Sequence, residues 1–578
     1  MKRFLTITFL LVLAQAYTFA QDDQTGPKRE VTLYNVYKPT LGESKKRGFF
    51  PSLDDTIMTS APDVVYDVET KPFFPEFKIT PLKAATLEPD PLPKLYKSYV
   101  NLGLGNHLSP LVEVSVSNER SKKGAIGLYA RHYSTNGTVK LDNNKRVFAG
   151  YMDNDVSIYG KKFFKNNILE GSLDYAQKSR FAYGYNPDSI VEKVDRKDIR
   201  LGYQNFGANL SLQSMVLDST RFSYDFDLGY NLFYSSYEHK QNSVSLYGKM
   251  RQEIIGFNFG INGAADFYFD SFTDHRKYTV GVNPYVSKKT DSWNVKLGLT
   301  LLLDRSAIVA TSDADTMRSK FHIYPDVEFG ITVIPSYLDV FFKFDGEMEQ
   351  NTPLHVIEEN PYIYPDGSLF MVPNTDHKLR AMAGFKGNNG LDGNYLLSVS
   401  YDYIDNMLFY DNFTQSMFTG SRFADYVNHG RYFLPFYDNV ELLNVHGEFD
   451  GPITERLSYK ASGNYYHYTS SYDVASGKQT WDANLVIKYN LRNKIIASIN
   501  TIAIGKRDFD YFPITEMDPV HHLTSPTHVN INFSAEYRYT KILSFWVKVN
   551  NIAFNKYYDY AFYPTQRFMF MGGLTYSL

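Results

Sequence analysis

Apolar and polar residues alternate along most of this 578-residue chain, in runs longer than soluble strands usually reach. Val529, Ile531, Phe533, Ala535, Tyr537 and Tyr539 fall on one face, with Asn530, Asn532, Ser534, Glu536, Arg538 and Thr540 on the other. Trp293, Val295, Leu297, Leu299, Leu301 and Leu303 oppose Asn294, Lys296, Gly298 and Thr300. Trp481, Ala483, Leu485, Ile487, Tyr489 and Leu491 oppose Asp482, Asn484, Lys488 and Asn490. A further run holds Ile255, Phe257, Phe259, Ile261, Ala265, Phe267 and Phe269 on one side. A period of two puts successive side chains on opposite faces of a strand. A greasy face backed by a charged, hydrated one fits a soluble sandwich or the wall of a membrane barrel.

Length decides between them. From about Lys97 to the end no linker breaks the chain, and a spanning strand needs about 9–11 residues, which these runs supply. Turn signals separate them: Asn136-Gly137, Asn388-Asn389-Gly390, Asp392-Gly393 and Asn493 before Lys494. The expected fold is all-β: a large antiparallel transmembrane barrel of about 22 strands (range about 16–22), since bacterial single-chain barrels have even counts. Its last strand, Phe568 to Leu578, is rich in aromatics and suited to close on the first.

Composition agrees. Aromatics make up 16%, with 47 Tyr and 43 Phe against 3 Trp, as aromatic girdles at two membrane interfaces require. The mean hydropathy of −0.34 is no obstacle, because half of every barrel strand faces lumen or water. A net charge of −3 gives no basis for a nucleic-acid partner. Zero cysteines exclude a disulfide framework and thiolate metal sites.

The N-terminus reads as a secretory signal peptide over 1–20: Met1-Lys2-Arg3, an apolar run from Phe4 to Ala14, and cleavage after Ala20. Residues 21–95 hold ten of the 25 prolines and are expected to form an irregular periplasmic segment. Residues 96–578 are then the barrel. Export without a spanning helix points to the outer membrane of a Gram-negative bacterium. Its lipid and lipopolysaccharide are the first expected partners, with an outer-membrane or periplasmic protein beside them.

Near the C-terminus, Phe545-Trp546-Val547-Lys548-Val549-Asn550-Asn551-Ile552 leads to Phe554-Asn555-Lys556-Tyr557-Tyr558, followed by Pro564, Arg567 and the closing strand. This resembles the terminal region of TonB-dependent receptor barrels, over about the last 50 residues. The resemblance implies a transport or channel role across the outer membrane. It also implies a TonB box and an N-terminal plug, yet the stretch from Gln21 to Tyr99 carries neither pattern and is too short for the plug. The likeness is therefore to the barrel without its plug, which leaves energy-coupled uptake unsupported. A second reading is a non-transporting accessory or scaffold subunit of an outer-membrane assembly or secretion complex.

Candidate chemistry is sparse. His521, His522 and His528 near Asp518 read as a solvated loop, lacking a spacing that would aim them at one metal. Gly387, Gly390 and Gly393 read as a hairpin, with no helix following. Asp402, Asp405 and Asp411, with Asn406 and Asn412, lack the order of a calcium loop. No cofactor and no catalytic arrangement is expected. The site candidates are charges on polar faces: Lys296, Lys488, Glu536, Arg538 and Lys548. Lysine or arginine on the lipid side costs about 2–4 kcal/mol at the midplane, so these should point into the lumen. There they either tune the passage of solutes or brace one another.

Overall fold

The computed structural model describes residues 96–578, apart from 119–120, 143, 186–195, 198, 216–219, 237–238, 271–275, 308–316, 365–371, 414–430, 472–473 and 513–520. The expected signal peptide and the Pro-rich segment 21–95 lie outside the described residues.

Each wall strand pairs antiparallel with the next in chain order, beginning Ser98–Gly105, Ser109–Ser117, Gly124–Thr135, Tyr151–Phe163. The series runs on through His528–Arg538 and Leu543–Asn550 to Met569–Ser577. That last strand pairs back onto the first, Tyr99 opposite Ser577 and Gly105 opposite Met571, so the sheet closes. Among the described residues the ring holds 22 strands, and Arg507–Phe512 with His521–Ser525 extend the sheet to 24. Closure leaves the ring itself without a free edge, which a membrane demands because lipid cannot satisfy a bare N–H or C=O.

The registers put the alternating apolar residues on one continuous face. Leu102 meets Val112, Val280 meets Leu303, Phe329 meets Phe342, and Val445 meets Tyr465. This face is unusually open for such side chains: Ile126 is 64% exposed, Leu173 62% and Phe321 61%. Apolar surface of that extent on one sheet is a lipid-facing belt.

Connections sort by length onto two ends. One end carries tight turns such as Ile255-Gly256 and Arg492-Asn493, and also the start of the first strand and the end of the last. Both residues of each turn have positive φ, 54° and 72° at Ile255-Gly256 and 51° and 56° at Arg492-Asn493, the handedness that matches strand twist. Ile255 corrects the sequence reading. It was expected to continue the apolar face of Phe257, but it sits at the turn and is 93% exposed. Alternation alone cannot mark where a strand reverses.

The opposite end carries the long connections, 136–150, 182–199, 350–374, 414–431, 470–480, 505–527 and 551–568. Here strands grow long, as in Asn394–Phe413 and Tyr432–Thr454 with 20 and 23 residues. Asp402, Asp405 and Asp411 ride on the first of these strands and not in a loop. His521 and His522 likewise belong to a strand and His528 to the wall, where its ring stacks on Tyr557 at 4.1 Å. Asp518 lies outside the described residues. The expected hairpin at Gly387–Gly393 is present, with Asn389 Oδ1 accepting from the amides of Leu391 and Gly393.

Candidate functional site

The polar face of the wall is built by the same alternation that makes the lipid belt. Lys296 occupies it opposite Glu328, and its ammonium pairs with Asp326 at 2.5 Å while lying 4.9 Å from the Tyr285 ring. Glu536 and Arg538, two apart on one strand, meet at 3.4 Å. Lys548 lies beside Ser534 in register, 5.1 Å from the Trp546 ring, and lines a cavity with Glu113 and Arg131. Lys488 sits between Ser458 and Ser498. Of the five sequence candidates, the fold thus brings only Glu536 and Arg538 into an ion pair with each other.

A denser charge network escaped the sequence reading. Arg380 forks onto Asp345 at 2.9 and 3.0 Å and reaches Glu347 at 3.1 Å. His377 Nδ1 lies 2.6 Å from Asp402, Tyr324 donates to Asp376 at 2.8 Å, and His322 faces the same carboxylate at 3.2 Å. The partners come from neighbouring strands whose pairing shifts at bulges between Asp345 and Glu347 and between His377 and Leu379. A bulge re-aims side chains, so plain alternation could not place them. No group of three or more His, Asp or Glu among the described residues is arranged to hold a metal ion.

The second feature is a cap at the long-loop end. Tyr183 follows the fifth wall strand, Tyr362 lies between the thirteenth and fourteenth, and Tyr563 lies between the twenty-first and twenty-second. Those anchor points divide the 22-strand ring into three roughly equal arcs, so contact between the loops must cross the mouth of the barrel. They do touch. Tyr362 stacks on Tyr563 at 3.9 Å, Tyr183 lies 4.9 Å from Tyr563, and Tyr183 donates to the carbonyl of Pro564. Tyr563 is 1% exposed, and its hydroxyl donates to the carbonyl of Arg431. Burial among these rings pushes the hydroxyls of Tyr183 and Tyr563 well above their ordinary range, so they stay neutral.

A short helix, Pro353–Glu359, ties the cap to the wall. Pro353 opens it and the Thr352 hydroxyl accepts from the amide of His355, a usual N-terminal arrangement. From it Glu358 reaches Lys178 at 3.1 Å, while Glu359 takes Lys478 at 3.0 Å and the Tyr410 hydroxyl at 2.7 Å. Just beyond it, Tyr203 donates to the carbonyl of Pro361 at 2.6 Å. These partners lie on widely separated wall strands and loops, which makes the helix a strut.

His355 binds Glu349 at 3.2 Å, and that bond holds its pKa above the usual 6.5. A raised folded-state value stabilises fully below pH 6.5 and is lost as pH rises through the raised pKa. Protection against hydrogen exchange over 353–359, with each rate divided by the intrinsic amide rate at that pH, is therefore expected to be lower at pH 9 than at pH 6. In His355→Gln the difference should disappear; an equal difference in that variant would assign the effect to another group.

No family model matches this sequence, and no curated protein is similar to it. Solved structures do share the fold. The siderophore receptor PirA from Acinetobacter baumannii aligns with a TM-score of 0.61 at 10% identity, over 83% of this chain and 80% of that one. The pyoverdine outer membrane receptor FpvA from Pseudomonas aeruginosa gives 0.60 at 13%, over 83% and 78%. The ferric-catecholate import receptor Fiu from E. coli gives 0.59 at 9%, over 83% and 81%. The chain has the barrel fold of outer-membrane receptors.

Proposed function

We propose that this protein resides in the outer membrane and serves transport across it as a loop-capped channel. The observation that supports this most directly is the closed ring of 22 strands with an apolar belt on one face and a charged face on the other. With the belt in lipid, Lys296, Lys488, Glu536, Arg538 and Lys548 project into the lumen. Ion-paired residues such as Lys296 and Arg538 brace the wall. Lys548, beside a cavity with Glu113 and Arg131, is the better candidate to meet a passing solute.

The cap favours a second reading. Loops joined across the mouth by buried rings suit a barrel that does not conduct and instead serves as a subunit of a larger outer-membrane assembly.

Two measurements on protein extracted gently from native membranes separate these readings. The channel reading expects a lone barrel whose current in a planar bilayer is selective, and whose selectivity shifts toward cations in Lys548→Glu. A stoichiometric protein partner together with no current would reject it in favour of the subunit. A lone barrel that carries no current under any condition would reject both.

A further inference from the structure

A chain of hydrogen bonds on the outer face of the wall links a serine, a histidine and an asparagine. His132 and Ser134 lie two apart on the strand Gly124–Thr135, so both point to one side. Asn154 stands directly opposite His132 on the strand Tyr151–Phe163. Ser134 Oγ is 3.2 Å from His132 Nε2, and His132 Nδ1 is 2.6 Å from Asn154 Oδ1. Asn154 Nδ2 donates in turn to Gln177 Oε1 at 3.1 Å, on the strand Asn167–Phe181.

That order fixes the protons. An amide oxygen only accepts, so Nδ1 carries the ring hydrogen and Nε2 presents its lone pair to the serine. Ser134 therefore donates to Nε2, which gives nucleophile, base and orienting group in sequence. Such sites are recognised by these roles on unrelated folds, and asparagine fills the third place in one group of cysteine hydrolases. Chain spacing does not announce the set, because Asn154 joins it only through strand register.

The face is the apolar one. Ile126 and Leu128 share it with His132, Ile158 shares it with Asn154, and Leu173 shares it with Gln177, all four of them exposed. Neither strand pairing has a register shift, so the same parity holds along each strand. All three residues of the set are half-buried, hence open to the surroundings. They sit at the long-loop end, one step above Tyr175 and Phe206, whose rings lie 4.6 Å apart. Aromatic rings mark the boundary between hydrocarbon and headgroups, which is the height of a lipid's ester bonds. Beneath His132, Ala130 meets Val156 and Leu128 meets Ile158, an apolar track leading down the belt.

We propose that Ser134, His132 and Asn154 form a hydrolytic site for fatty-acyl esters of lipid. The activity is additional to transport and shares with that reading only the outer-membrane residence. Ser134 Oγ attacks the ester carbonyl as its proton passes to His132 Nε2. The bond to the alcohol oxygen breaks, and that oxygen takes the proton from Nε2. Water then attacks the acyl-serine, giving a proton to Nε2 and its oxygen to the carbonyl carbon. The bond to Ser134 Oγ breaks, Oγ recovers the proton, and a fatty acid leaves. Asn154 is a positioning residue that holds the imidazole in the required tautomer.

The test uses the full chain, purified in mild detergent after cell fractionation. It is given two esters with fluorescent acyl chains in mixed micelles, a phosphatidylethanolamine and an O-acylated lipopolysaccharide. Wild-type protein should release fatty acid from at least one, and which one identifies the lipid. Ser134→Ala and His132→Ala, prepared alike, should each lose more than about a hundredfold while the unheated band stays compact. A fluorophosphonate should label wild type at Ser134 and fail to label His132→Ala. Asn154→Ala should lower kcat at nearly constant KM, and Asn154→Asp should restore most of it, since a carboxylate also accepts from Nδ1–H. Hydrolysis unchanged in Ser134→Ala, or no hydrolysis of either lipid by wild type, overturns the site. Cleavage of a soluble short-chain ester alone overturns the assignment to lipid. A chain outside the outer-membrane fraction would overturn residence and with it access to such lipid, whereas failed hydrolysis by a chain within that fraction overturns the site alone.

Discussion

Gly573→Val is expected to abolish the closed barrel. Gly573 sits directly opposite Gly103 where the last strand meets the first. The indole of Trp546, one strand away, lies across both: a Cβ on Gly573 would stand 2.6 Å from Trp546 Cε2, and one on Gly103 2.5 Å from Trp546 Cη2. At Gly573 the added carbon would also collide with the backbone oxygen of Leu102. The indole N–H donates to Asn101 at 2.6 Å, and Asn101 in turn donates to Glu113 at 2.7 Å, so one side chain staples three strands across the closure. Electrophoresis without heating reads the outcome, since a closed barrel runs compact and an open one does not. Trp546→Ala alone should close but lose about 3 kcal/mol, the low end for a large aromatic because the ring is only partly buried. It should rescue Gly103→Ala, whose closest clash is with the ring. It should not rescue Gly573→Val, whose clash includes backbone. A compact Gly573→Val band would show that the closing pair can separate and still hold the ring.

The second large effect is expected at the cap. Tyr362→Ala combined with Tyr563→Ala removes the stacked pair on which the three loops converge, leaving the wall registers untouched. Barrels of 16–18 strands already leave an aqueous channel, so an uncapped ring of 22 should raise the planar-bilayer current more than about tenfold. Stability should fall far less than for Gly573→Val, because backbone pairing around the ring does not pass through the cap. A double variant with an unchanged current would place the limiting constriction elsewhere along the lumen and remove the cap from any gating role.

Much of the architecture was legible in the residues, for a local reason. Alternation has a range of two positions, so Trp293–Leu303 and Val529–Tyr537 could be assigned to an apolar face before any partner strand was known. The tally of such runs, with the aromatic final strand, led to about 22 strands and to closure of the last on the first, and the registers bear both out. The same rule failed where geometry stops being periodic. Ile255 kept the beat yet sits at a reversal, and the bulges at Asp345–Glu347 and His377–Leu379 turned charges toward partners that spacing alone does not foresee.

The cap was invisible for a different reason. Tyr183 and Pro564 lie 381 residues apart, in loops without periodicity, and meet only because the ring brings their anchors to one mouth. Arg431, 1% exposed and beside the ring of Tyr185 at 4.5 Å, reads in the sequence as one more polar loop residue. By itself, then, the sequence determined which residues meet lipid and which meet water, because a pleated strand alternates within two residues. The tertiary structure alone decided which of those polar and aromatic residues meet one another, because closing a ring of 22 strands joins positions that no local pattern connects.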